Sequence, residues 1–297
     1  MIFTEAPRNA ATWAYLLRAA EIPVLRRTVE ELARLRQDED RLTARDISRV
    51  LLHDPLFTLR VLLYLQAHRR PTQVTDITTV EHALMMLGVT PFFEQFATLP
   101  AVEDELAEHP LALAGLMDVM SRAHCAALYA RDWAAVRHDI RADEVAIAAL
   151  LHDLAEMLLW CFAPKLSLRI QMMLRADPAM RTRDAQQGVL GFPLLELQNA
   201  LMLEWKLATM LQWLMDDMHA AAPARQMNVA LAVNLARHSA LGWDNPALPD
   251  DFAAIQKLLN LPESDVRERV ARVALQAGNG RDWYHLDTPQ TPSRPDG

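Results

Sequence analysis

From Gly115 to Gly188 the chain has no intervening glycine, and apolar residues recur through most of the stretch at the spacing of an α-helix. So unbroken a segment demands long helices, whose apolar faces must be buried on one another. The pattern predicts helices over 111–136, 142–161 and 166–174. Upstream it predicts helices over 10–20 and 28–35, a third capped by Thr43 with Asp46 in capping-box spacing, and a fourth starting at Asp54-Pro55. A loop over 69–76, a helix over 79–87 closed by Gly88, and another opened by Pro91 follow. Downstream, 196–218 reads as one helix or two, followed by 227–240, 252–259 and 264–277. The proline-rich, polar tail from Asp287 is expected to be disordered. No segment reads as a strand. The class is all-α, a multi-helix bundle preceded by an N-terminal helical subdomain.

Within this framework one dipeptide is costly. His152 and Asp153 lie in AIAALLHDLAEMLLW, where nearly every other residue is apolar. Burying a carboxylate with an imidazole costs several kcal/mol or so unless each finds a partner, a proton or a metal. His-Asp occurs twice more, but His53-Asp54 is explained by helix capping and His138-Asp139 lies in a polar, solvated loop. Two readings of the pair stay open. Asp153 can fix the imidazole tautomer in a hydrogen-bonded core pair, in which case Asp153→Ala costs about 3–5 kcal/mol. Alternatively the pair holds a metal with His124, which sits mid-helix in SRAHCAALYA. Two histidines and an aspartate suit Zn, Mn or Fe. Glu156, one turn after His152, reads as its i,i+4 partner. Trp133, Trp160, Trp205 and Trp213 read as core anchors, and Met85, Met86, Met172 and Met173 as gap-filling core.

Bulk properties narrow the partners. The net charge of −8 disfavours binding driven by nucleic-acid phosphates, although residues 1–70 carry 12 Arg against 9 acids. No apolar stretch is expected to span a membrane, and the N-terminus lacks a secretory pattern. Cys125 and Cys161 are isolated among apolar neighbours, which suits a reducing cytoplasm.

Several stretches together resemble a known family. IPVL at 22–25, DPLFTLRVLLYL at 54–65, ITTVEHALMMLGV at 77–89, LLHDLAEMLL at 150–159 and Trp205 in LMLEWKLA occur in an order similar to that of the HDOD group. These are the HD-related output domains of bacterial signalling, a branch of the HD metal phosphohydrolases. The resemblance spans about residues 22–240. It implies an N-terminal helix over 1–21, a domain with parts at about 22–110 and 111–240, and C-terminal helices over 241–286 packed on the same core. It implies vestigial ligands at His124, His152 and Asp153, with Asn234 where catalytic relatives supply an aspartate. Ala155-Glu156 stands where catalytic relatives have Gly-Lys, Leu194 stands in place of a late histidine, and a histidine pair is reduced to His219. The resemblance therefore implies a non-catalytic regulatory protein of the bacterial cytoplasm. Its partners would be signalling proteins, with homodimerisation an option and no nucleic acid or membrane. No cofactor is expected beyond a weakly held divalent Mn, Fe or Zn. The alternative is a metal-dependent phosphohydrolase acting on a nucleotide or cyclic dinucleotide.

Overall fold

The computed structural model describes residues 1–38, 41–68, 84, 87–177, 179–216 and 223–285. The expected loop over 69–76, most of the helix over 79–87, Met85, Met86, His219 and the tail from Asp287 lie outside the described residues. The N-terminal helices are α1 (Ala10–Leu17), α2 (Arg26–Arg36), α3 (Ala44–Leu51), α4 (Pro55–Ala67), α5 (Val89–Gln95) and α6 (Val102–Glu105). The bundle follows as α7 (Pro110–Val136), α8 (Ala142–Leu150), α9 (Leu154–Phe162), α10 (Pro164–Ala176), α11 (Thr182–Leu190), α12 (Leu194–Glu204), α13 (Thr209–Leu214), α14 (Ala224–His238), α15 (Leu248–Leu259) and α16 (Glu263–Asn279). The fold is all-α. Among the described residues the only β-pairing is an isolated parallel bridge between Val24 and Ala101.

Local chemistry sets the helix starts. Asn9 caps α1 by accepting from the Thr12 N–H at 2.8 Å. Thr43 and Asp46 form the reciprocal capping box of α3. Asp54 caps α4 through the Phe57 N–H at 2.9 Å. Its other oxygen accepts from the Leu25 N–H at 2.8 Å and the Thr28 hydroxyl at 2.7 Å. One fully buried carboxylate thus joins the start of α2 to the start of α4.

The long α7 is the axis of the bundle, packed by α8, α9, α14 and α16, while α1 lies on α12. Gly115 permits the crossing of α7 with α9, because a Cβ there would lie 2.7 Å from the Trp160 ring. Trp133, Trp160 and Trp205 are buried as core anchors, but Trp213 is 38% exposed on the short α13 and Met172 faces solvent on α10.

Two expectations need correction. Pro110–Val136 and Ala142–Phe162 are long and apolar enough to cross a membrane by length and composition. Their apolar windows are 61% and 83% buried inside the protein, so these residues already have a core to cover them. The predicted helix over 142–161 is broken, with α8 ending at Leu150 and α9 starting at Leu154. Gln198 of α12 compensates the break. Its side-chain oxygen accepts from the Ala155 N–H at 2.8 Å, and its NH₂ donates to the Leu151 carbonyl at 3.2 Å. The Ala155 N–H, which an unbroken helix would have satisfied internally, is satisfied across the bundle, and the Leu151 carbonyl shares Gln198 with a local bond from the Leu154 N–H at 3.1 Å. Similarly, the described part of the segment over 196–218 is two helices, parted where Lys206 adopts a φ of 51°. The helix α11, closed by Gly191 at a φ of 85°, has no counterpart in the sequence expectation.

Candidate functional site

His152 and Asp153 occupy the turn between α8 and α9, and not the middle of a helix. Their side chains are 11% and 13% exposed. The His152 Nδ1 lies 3.1 Å from Asp153 Oδ1. A carboxylate can only accept, so Nδ1 carries the proton and Asp153 fixes the tautomer. The same Oδ1 accepts from Arg237 of α14 at 3.0 Å. Burial pushes the Asp153 carboxyl up, but the Arg237 charge, the His152 hydrogen bond and the Arg122 charge outweigh it. Together they hold the group well below the usual carboxylate range.

Glu156 sits in the first turn of α9 and pairs with Arg122 of α7 at 3.5 Å, not with His152 as its i,i+4 spacing suggested. Burial, reinforced by the charge of Asp153, raises its pKa, and the two arginines only partly oppose this. The two acids thus respond oppositely to one apolar setting, because Arg237 reaches Asp153 directly.

The structure does not gather the other expected ligands around this pair. His124 is buried on α7, where its Nδ1–H donates to the Leu52 carbonyl at 3.0 Å. Its ring stacks on His53, with centroids 4.3 Å apart. Burial, and then the neighbouring His53, push it down to about 3. Asn234 is half-buried on α14, and the contact of that helix with the dyad is made by Arg237. Leu194 opens α12 beside the groove described below. Among the described residues no three His, Cys, Asp or Glu side chains are placed to hold one metal ion. The donor set does not fit a divalent ion: a guanidinium holds the Asp153 oxygen and His124 turns to a different partner.

The second His-Asp pair also departs from expectation. Asp139 is not a solvated loop residue, since it accepts from Arg225 at 2.7 Å with its side chain 16% exposed. Arg225 also binds Glu144 at 2.8 Å, tying α14 to the entry of α8.

His152, Asp153, Glu156, Arg122 and Arg237 line one side of an open groove of about 1020 Å³. Exposed Leu195, Leu241 and Trp243 form part of its apolar edge. Sequence reasoning missed Gln198, Arg122 and Arg237, which complete the polar centre. Each carried a faint local signal. Gln198 is one of two adjacent amides in an otherwise mostly apolar helix, Arg122 lies two residues before His124, and Arg237 lies three after Asn234.

Comparison with known proteins places this geometry. The sequence profile of the HDOD domain matches residues 22–221. No curated protein matches the sequence. Among solved structures, the MmoQ response regulator from Methylococcus capsulatus is 19% identical with a TM-score of 0.65, over 85% of this chain and 98% of that one. A virulence factor from Campylobacter jejuni is 15% identical with a TM-score of 0.64, over 90% and 99%. An HDOD domain protein of unknown function from Geobacter sulfurreducens is 17% identical with a TM-score of 0.50, over 93% and 98%. At these identities the likeness is one of fold.

Proposed function

Because the chain belongs to the HDOD family, we propose that it is a non-catalytic regulatory module of a bacterial signalling system, acting in the cytoplasm by binding other signalling proteins. A second copy of itself is among the candidate partners, and nucleic acid, membrane and metal are not. One observation carries the reading: the Arg237 guanidinium sits on Asp153, the carboxylate that would anchor a catalytic metal. A fixed cation of this kind balances the buried charge without a Lewis acid and offers no open position at which water could be activated. The neutral Asn234 and the Glu156 carboxyl beside the dyad support the same reading, since neither supplies the charge that phosphate-ester cleavage requires.

The test combines composition with turnover. Protein purified without chelator is expected to carry no stoichiometric metal. It is also expected to leave nucleotide and cyclic-dinucleotide substrates intact when Mn or Fe is added. Stoichiometric metal, together with hydrolysis abolished by Asp153→Ala, would overturn the proposal.

A further inference from the structure

The segment that leaves α16 makes contacts with three parts of the molecule that are far apart in sequence. Gly280 passes so near two rings that a Cβ there would lie 3.3 Å from His53 Nε2 and 3.4 Å from His124 Nε2. The Asp282 carbonyl accepts from Arg27 of α2 at 3.1 Å. The Arg27 guanidinium also lies 5.4 Å from the centre of the Trp283 ring. Trp283 stacks on His53 at 4.6 Å, and His53 stacks in turn on His124 of α7. The Tyr284 hydroxyl donates to the His53 carbonyl at 2.7 Å.

His53 lies between α3 and α4, where its Nδ1–H donates to the Arg49 carbonyl at 2.8 Å. Burial first, and then the Arg27, Arg49 and Arg131 charges, lower its pKa, so both stacked imidazoles are neutral near pH 7. The described contacts that pin residues 280–285 are therefore ring stacking, the cation–π contact of Arg27 with Trp283 and two hydrogen bonds to backbone carbonyls. Tyr284 and His285 also line the groove that holds His152, Asp153 and Arg237, as does Cys125 of α7. One short segment thus grips the joint between the N-terminal helices and the bundle with one face, and walls the groove with another.

We infer that residues 280–285 form a strap that couples the groove to the seating of α3 and α4. Docked, it closes one end of the groove and clamps His53 between Trp283 and His124; released, it opens both places together. The strap's role holds whether or not the groove turns over a substrate, so its failure and that of the proposed function can be told apart.

Hydrogen exchange and thiol labelling of the full chain test the coupling. Trp283→Ala and Tyr284→Phe are each expected to raise amide exchange in peptides covering 49–62 at least fivefold, with exchange in 145–150 unchanged. The same variants should react with N-ethylmaleimide at Cys125 at least fivefold faster, with the buried Cys161 as the slow internal reference. Trp283→Phe keeps a stacking ring and should restore wild-type rates. It also keeps the test usable if Trp283→Ala does not fold. In the reverse direction, His53→Asn should speed exchange of the Trp283 amide, which is bonded to the Gly280 carbonyl at 3.1 Å. Unchanged exchange over 49–62, unchanged labelling of Cys125, or an effect in one direction only would each overturn the inference.

Discussion

Replacing Asp153 with Asn keeps the volume of the side chain and removes its charge, which isolates the electrostatics of the dyad. In the wild type Asp153 Oδ1 accepts from His152 at 3.1 Å and from Arg237 at 3.0 Å. A hydrogen bond to a charged group contributes about 1.5–3 kcal/mol net. The His152 bond warrants that range, because both side chains are nearly buried. The Arg237 contact does not. That side chain is 47% exposed, and solvent screening holds its share to about 1 kcal/mol or less. Arg237 can also turn to water once its partner is gone, so the loss stays below the 3–5 kcal/mol of a fully dry pair. Asp153→Asn is therefore expected to destabilise the protein by about 2–3 kcal/mol at pH 7.

The pH dependence gives a second handle. The folded-state pKa of Asp153 lies below that of an unfolded aspartate, about 3.9. Its stabilisation is fully present above about pH 5 and is lost as the pH falls through the folded value. Urea unfolding of both proteins between pH 3 and 7 should show a gap that begins to narrow only below about pH 5. A gap under about 0.5 kcal/mol at pH 7 would show that the pair is solvated. A gap that fails to narrow between about pH 4 and pH 3 would show that the folded-state carboxyl is not held in its ionised form, and either result would refute the reasoning.

Two further substitutions test the packing around the site. Gly115→Ala should destabilise by about 1–3 kcal/mol, although alanine is the better helix former, because its Cβ would meet the Trp160 ring; a stabilised variant in urea unfolding would refute the close crossing of α7 and α9. Arg225→Ala should cost about 2–4 kcal/mol by the same assay, since Asp139 and the buried Glu144 both lose a cation; a loss under about 0.5 kcal/mol would show that Arg225 is a surface residue.

What could be read from the sequence depended on the range of the interactions. The capping box at Thr43 and Asp46 and the cap at Asp54-Pro55 act within four residues, so each was visible as a local pattern. The helical class followed from apolar spacing for the same reason. The break after Leu150 was not legible, because AIAALLHDLAEMLLW has the periodicity of one helix, and the amide that compensates the interruption is Gln198 on α12. Likewise, the His152–Asp153 pair could be recognised as needing a partner, but nothing nearby in the chain named Arg237, 84 residues away. Asp139 looked solvated because its own loop is polar, and only the approach of α14 brings Arg225 onto it.

Arg237 also lies beyond residue 221, where the stretch shared with the HDOD family ends. At the other border, the Phe3 N–H donates to the Phe162 carbonyl, and Trp13 and Leu17 of α1 are buried to 0% and 1% exposure. A fragment trimmed to the family borders would strip these side chains from their bed and leave the Asp153 carboxylate without its nearest guanidinium. The recurring domain thus does not hold every side chain that covers its core and balances its buried charge in this protein, and dissection at the family limits would study a molecule with its polar heart unbalanced.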